Sequence, residues 1–299
     1  MNASASTISI CTIQPATVWQ EPERTFERIE RQLAQACQTD TPDLVLLPEH
    51  FNSAVDEDGA SRQWERARRF AVDLARGYRV NLVAGSVERW DERAGARVNT
   101  AIVLDRDGCE LGSYQKRQLF GYEIERQVLP GQKPLVVEVE GVRCGVLICA
   151  DLWFPELVRE IAGEIDLLCV PAQTTIRPES DPAYARMLWH TMAMTRAQEN
   201  VIAVAVSDHA ATAEAPFRCG GVASITDPSA QPDLPAIQRV IDDGGAGYAV
   251  VAVDLERLAR FRSYRRKSGL LPQWITTGDN GESAPRSEPA APADQKAPA

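Results

Sequence analysis

Five short apolar runs constrain this chain most. They are DLVLLPE (43–49), VNLVAGSV (80–87), the end of LVVEVEGVRCGVLIC (135–149), IDLLCVPA (165–172) and VIAVAVSD (201–208). DLVLLPE has the character of a strand buried on both faces, with too little polar alternation for a half-exposed one. Segments of helical period lie between the runs. Phe26, Ile29, Leu33 and Cys37 recur at spacings of 3, 4 and 4, which predicts an amphipathic helix. Residues 59–77, 155–163, 182–200 and 254–262 predict further helices. STISICTIQPA predicts a first strand, and later strands are expected at 219–226, 236–242 and 248–253. Two hairpins interrupt the alternation, one around the Asp-Gly of NTAIVLDRDGCELGSY (99–114), the other turning at Glu140–Gly141. Hairpins mixed with strand–helix units give an α/β fold. Either one mixed sheet is covered by helices on one face, or two sheets pack together between helix layers.

Composition narrows the function. Hydrophobic residues make up 44% and charged residues 25% of the 299, enough apolar material for a sizeable core. The net charge of −10 lacks the basic footprint of a nucleic-acid binder. No apolar run reaches the roughly 20 residues that span a bilayer, so no membrane partner is expected. The opening MNASASTISI has neither a basic segment nor a long apolar one, so a cytoplasmic protein without a secretory leader is expected. Seven cysteines, an odd number with no CxxC pair, argue against a disulfide framework. With histidines only at 50, 190 and 209, no clustered metal-ligand set is visible, and neither metal nor cofactor is expected. His50 and His209 read as hydrogen-bonded structural groups. The segment 278–299 holds four prolines and no large apolar residue, so a disordered tail is expected after a single domain at 1–277. There is no GxSxG elbow and no phosphate-binding GxxxxGK[ST] loop. The glycines of DDGGAGYAV (242–250) precede a strand and read as a turn.

Three residues stand out at strand ends. Glu49 closes an apolar strand, where a carboxylate is costly unless it is paired or protonated. It is either a solvated end or a general base held on a rigid element. Lys116, in GSYQKRQLF, is either a surface lysine or a cation aimed at a developing oxyanion. Cys149 ends CGVLIC just before a turn and a helix with Pro155 near its start. Most free cysteines are small buried hydrophobes. This one lies at the carboxyl end of a strand, where α/β sites gather, and nearby backbone N–H groups could stabilise a thiolate or an oxyanion.

In the order Glu, Lys, Cys, the segments LLPEHF, YQKRQLF and GVLICADLWFPE resemble the carbon–nitrogen hydrolase (nitrilase) superfamily. The hairpin leading into the lysine, VPAQ (170–173), Trp189 and RAQENVIAV (196–204) extend the resemblance over about residues 7–255. It implies a four-layer α-β-β-α sandwich and a Glu49–Lys116–Cys149 triad. In that triad Glu49 takes the thiol proton, Cys149 attacks the carbonyl carbon, and Lys116 with the Ala150 N–H holds the oxyanion. A thioester is then hydrolysed by water that Glu49 activates, with no cofactor. The resemblance also implies a supporting glutamate between lysine and cysteine. In FGYEIERQVLPG, Glu125 fits best, one residue short of the usual distance to Pro-Gly, and Glu123 is the alternative. Trp153, where the family often has arginine, together with Gln173 and Thr174, is expected at the substrate. Val206-Ser207-Asp208-His209 replaces the family's Ala-Asn-Arg stretch. Cys149-Ala150-Asp151 resembles amidase-like branches rather than the Cys-Trp-Glu of nitrilases. The expected activity is therefore hydrolysis of a small linear amide. N-carbamoyl amide hydrolysis comes next and nitrile hydrolysis after it. A homo-oligomer is also implied. A catalytically idle interaction protein of the same fold is the alternative from another class, and the intact triad counts against it.

Overall fold

A computed structural model describes residues 7–39, 41–53, 60–177, 179–230 and 233–271. The expected tail at 278–299 lies outside the described residues. The chain runs β1 (Thr7–Gln14), α1 (Pro22–Ala36), β2 (Leu44–Leu46), α2 (Ala60–Tyr78), β3 (Asn81–Asp91), β4 (Ala96–Leu104), β5 (Glu110–Gln115) and a one-turn α3 (Tyr122–Glu125). It continues through β6 (Val136–Val139), β7 (Val142–Val146), α4 (Pro155–Ile161), β8 (Leu167–Pro171), α5 (Pro182–Asn200), β9 (Ala203–Ser207), β10 (Ser224–Thr226), α6 (Leu234–Ile237), β11 (Gln238–Val240), β12 (Gly247–Asp254) and α7 (Leu255–Lys267).

Strand alternation decides between the two architectures that periodicity left open. In β1, Ile8 and Ile10 join one hydrophobic cluster, while Cys11 and Ile13 join another with Phe26, Ile29 and Leu33 of α1. In β2, Leu44 and Leu46 face the first cluster and Val45 the second. Both faces of these strands are therefore buried, one under helices and the other under a second sheet. The sheets have six strands each, in the orders β12-β1-β2-β3-β4-β5 and β11-β10-β9-β8-β7-β6. Each has a parallel centre, β1–β2–β3 and β7–β8–β9, flanked by antiparallel pairs. β1, β2 and β3 pack on β8 and β9, α1 and α2 cover the first sheet, and α5 covers the second. The result is the layered α-β-β-α sandwich. No described helix is long and apolar enough to cross a membrane.

Some boundaries moved. The strand expected at 219–226 shrinks to β10 because its first N–H groups leave the ladder. Gly220 N donates to Thr174 Oγ1, Val222 N to Asp208 Oδ2 and Ala223 N to Gln14 Oε1. The strand expected at 236–242 gives its first residues to α6, capped by the Asp233 side chain on Ala236 N. α7 outlasts its expected end because its last turns carry charge rather than an apolar stripe. Arg265, Arg266 and Lys267 sit where the helix dipole favours cations. The Glu140–Gly141 turn has positive φ at both residues, 50° and 79°, the conformation that suits a two-residue hairpin.

The parallel centres matter most for function, because β2, β7, β8 and β9 deliver their carboxyl ends to one region. Gly85 brings β3 close to the end of β2. Its φ is +22°, it lies at a bulge between Ala84 and Val87, and a side chain there would run into the Pro48 carbonyl. That approach lets His50 N donate to Ser86 O at 2.7 Å, which holds the residue beside Glu49 against β3.

Candidate active site

Glu49, Lys116 and Cys149 come from the ends of β2, β5 and β7, and the fold buries them together, at 2%, 2% and 5% exposure. Lys116 Nζ donates to Glu49 Oε1 at 2.8 Å and to Glu123 Oε2 at 2.6 Å. Asn99 Nδ2 bridges the same two carboxyl groups, 2.9 Å from Glu49 Oε1 and 2.8 Å from Glu123 Oε1. The second oxygen of Glu49 accepts from Gln173 N at 3.1 Å. The Cys149 thiol donates to the carbonyl of the same Gln173, at 3.7 Å.

The protonation states follow from these contacts. Burial opposes ionisation of Glu49, but the Lys116 ammonium, His50 and the hydrogen bonds outweigh it and hold the carboxyl below its usual range. Burial also opposes the charge on Lys116, yet Glu49 and Glu123 hold its pKa above the usual lysine value. Burial, then the adjacent Glu49, push the Cys149 thiol well above 9. The resting pair is therefore a neutral thiol beside an ionised carboxylate, both held by Gln173. An ammonium has three donors, and the two carboxyl groups take two of Lys116's. One is left for a substrate oxygen.

Cys149 adopts φ +46°, in the left-handed region that a non-glycine residue enters at a cost of about 1–2 kcal/mol. The neighbouring turn keeps it there. Residues Cys149–Trp153 form a 3₁₀ turn leading into α4. Asp151 Oδ2 accepts from Ile148 N at 2.9 Å and from the Tyr114 hydroxyl at 2.8 Å, and Oδ1 accepts from Gln118 N at 2.6 Å. Tyr114 and Gln118 stand two residues either side of Lys116, so one carboxyl group ties the cysteine turn to the lysine segment. Gly131 completes that segment. Its N–H donates to the Lys116 carbonyl at 2.7 Å, and a side chain there would strike the Gln115 carbonyl.

Other expected residues fall differently. Glu125 is exposed, and Glu123 takes the position beside the lysine, on the inward side of the single turn α3. The preference for Glu125 is corrected on this point: in a one-turn helix, residues two apart face nearly opposite ways. Gln173 is buried and serves the site through its backbone, while its side-chain Nε2 has no protein partner. Thr174 has both N–H and hydroxyl committed to Asp208, at 2.9 and 2.6 Å, which makes it a strut rather than a substrate contact. Trp153 is 48% exposed and meets the buried Trp189 edge-on, ring centres 6.3 Å apart. Ala150, at the start of the turn, is buried.

Sequence reasoning missed Asn99 and Tyr122 and left the two site histidines without partners. Tyr122 and His50 Nε2 lie 2.6 Å apart. Burial and the nearby carboxylates hold the phenol pKa well above its usual value, so Tyr122 keeps its proton. His209 Nε2 reaches the Glu49 carbonyl at 2.6 Å. Only Asn99 had a visible signal, as a polar residue opening an otherwise apolar hairpin strand. Glu49, His50 and Glu123 bring potential metal-ligand atoms within 4.8 Å of one another. The Lys116 ammonium bonds both of those carboxyl groups, so the cluster carries its own cation.

Comparisons with known proteins identify relatives and a shared fold. Omega-amidase NIT3 of Saccharomyces cerevisiae is 26% identical over 252 residues, 78% of this chain and 80% of that one. A 2-oxoglutaramate amidase of Bacillus subtilis is 28% identical over 235 residues, 74% of this chain and 81% of that one. The crystal structure of Saccharomyces cerevisiae Nit3, a member of branch 10 of the nitrilase superfamily, superposes with a TM-score of 0.75 at 22% identity, covering 90% of this chain and 97% of that one. The carbon-nitrogen hydrolase family profile matches residues 7–263, a span that takes in both sheets and all three strand-end residues. On that match the chain belongs to the carbon–nitrogen hydrolase family.

Proposed function

We propose that this protein hydrolyses the C–N bond of small linear amides, with Cys149 as nucleophile, Glu49 as the single acid–base group and Lys116 as oxyanion donor. The observation that carries the reading is the buried cluster in which Lys116 binds the Glu49 carboxylate while Gln173 holds that carboxylate through its N–H and the Cys149 thiol through its carbonyl. As Sγ attacks the carbonyl carbon, its proton passes to Glu49. The Lys116 ammonium and the Ala150 N–H take the oxyanion. When the tetrahedral intermediate collapses, the C–N bond breaks and Glu49 returns the proton to the leaving nitrogen. A thioester and ammonia or an amine result. Water then adds to the thioester, giving a proton to Glu49. The C–S bond breaks, the acid leaves and the thiol is restored.

The amidase names of the relatives support the choice of amides over nitriles. The test is a panel of linear amides, N-carbamoyl compounds and nitriles assayed for ammonia release, with intact-mass spectra during turnover of a slow amide. An acyl adduct on wild type that is missing in Cys149→Ala is the expected result. Turnover with no adduct would refute covalent catalysis, and release from nitriles alone would refute the substrate class. The reading includes a homo-oligomer, supported by the exposed Tyr184 and Met187 on α5, and a clean monomer in light scattering would remove that part. It also includes a cytoplasmic location, which the seven free cysteines support.

A further inference from the structure

We propose that Asp208 and His209 are a pair of positioning residues that fix the catalytic base from two sides. The inference rests on the reading of Glu49 as that base. Both residues follow β9, in the stretch where this chain departs from its family's pattern.

The His209 arm holds the peptide that carries the base. The ring is buried, and burial pushes its pKa down to about 4, so it is neutral. A carbonyl only accepts, so Nε2, 2.6 Å from the Glu49 oxygen, carries the ring proton. Nδ1 then accepts from the buried Thr17 hydroxyl. Thr17 thus supports the tautomer that grips the base.

The Asp208 arm holds the peptide that orients the carboxylate. Its Oδ1 accepts from Thr174 N at 2.9 Å, and its Oδ2 accepts from Thr174 Oγ1 at 2.6 Å and Val222 N at 3.0 Å. Thr174 follows Gln173, whose N–H binds Glu49 Oε2 at 3.1 Å and whose carbonyl receives the Cys149 thiol. One dipeptide therefore restrains the backbone of Glu49 and, through Gln173, its side chain. A misplacement of about 1 Å at a reacting group costs on the order of a hundredfold in rate. Neither residue reaches the reacting atoms itself, so their effect belongs in kcat rather than KM.

The test uses His209→Ala, His209→Gln, Thr17→Val and Asp208→Asn in the full chain. Gln can present an N–H where Nε2–H stood. We expect His209→Ala and Asp208→Asn to lower kcat by about tenfold to a hundredfold, with KM within about twofold. His209→Gln should recover to within about threefold of wild type. A second readout needs no turnover: the rate at which iodoacetamide labels Cys149 at alkaline pH, above the value of about 7 to which burial raises Asp208. A Glu49 carboxylate that drifts from the thiol raises its pKa less, so His209→Ala should label several-fold faster and His209→Gln should not. A stability defect with unchanged kcat and labelling would overturn the proposal. So would His209→Gln behaving like His209→Ala, or a change confined to KM. If His209→Ala fails to fold, Thr17→Val carries the same test on that arm, with a smaller kcat loss and faster labelling expected and wild-type values overturning it. If wild type turns over no substrate in the panel, the hydrolase reading fails and the labelling rates alone decide the clamp.

Discussion

Replacing Glu49 with Gln should push activity and thiol acidity in opposite directions. The substitution keeps the shape of the side chain and removes its charge. In the native site that charge raises the thiol pKa, while Lys116 lowers it. In the variant the opposing charge is gone and the ammonium remains, still paired with Glu123. Two unit charges about 4 Å apart in a protein of effective dielectric constant near 20 interact by about 4 kcal/mol. Losing a repulsion of that kind should lower the Cys149 midpoint. Turnover should meanwhile fall by about 10²–10⁴, the usual contribution of a general base. Alkylation of Cys149 by iodoacetamide, followed across pH by peptide mass spectrometry, reads the thiolate directly, because only the thiolate is the nucleophile. At one alkaline pH the variant should label faster than wild type while releasing ammonia far more slowly. A midpoint that stays put or rises would show that Glu49 does not govern the thiol, and the base assignment would fail with it.

Three further outcomes are expected. Glu123→Gln should lower kcat/KM by about tenfold or more, because Lys116 loses a buried charge-assisted hydrogen bond worth about 1.5–3 kcal/mol, whereas the exposed Glu125→Gln should stay within about ±0.5 kcal/mol in urea unfolding and near wild type in rate; the reverse pattern would return the supporting role to Glu125. Gly85→Ala should cost on the order of 1–3 kcal/mol and lower kcat, because its methyl group meets the Pro48 carbonyl and displaces Glu49 with it; a variant with wild-type stability and rate would refute the close approach. The acid limb of kcat/KM should lie below the ordinary glutamate pKa of about 4.3, since activity requires the Glu49 carboxylate and is lost only as pH falls through its depressed value; a limb near neutral pH would show that Lys116 does not hold that carboxylate ionised.

Much of the fold was legible because burial leaves a local signature. Short apolar runs such as DLVLLPE announce strands covered on both faces, and the Asp-Gly and Glu-Gly dipeptides announce hairpins. Misread boundaries came where backbone donors left the ladder for side chains distant in sequence, as at Val222 with Asp208 and Ala223 with Gln14. No local pattern encodes such a partner. α3 was too short to have a period, and so the face carrying Glu123 could not be told from the face carrying Glu125.

The sequence by itself determined the types and order of the reactive groups: a carboxylate, an ammonium and a thiol, each closing a strand or hairpin with little room for an unpaired charge. Tertiary structure alone decided how those groups share protons. Whether Cys149 rests as a thiol or a thiolate depends on Glu49 and Lys116, which stand 100 and 33 residues away in the chain yet border the same buried space. The same holds for Asn99 between two carboxyl groups, and for His209 on the Glu49 carbonyl across 160 residues. A pKa or a hydrogen bond depends on distance and burial in space, and packing two sheets face to face sets both.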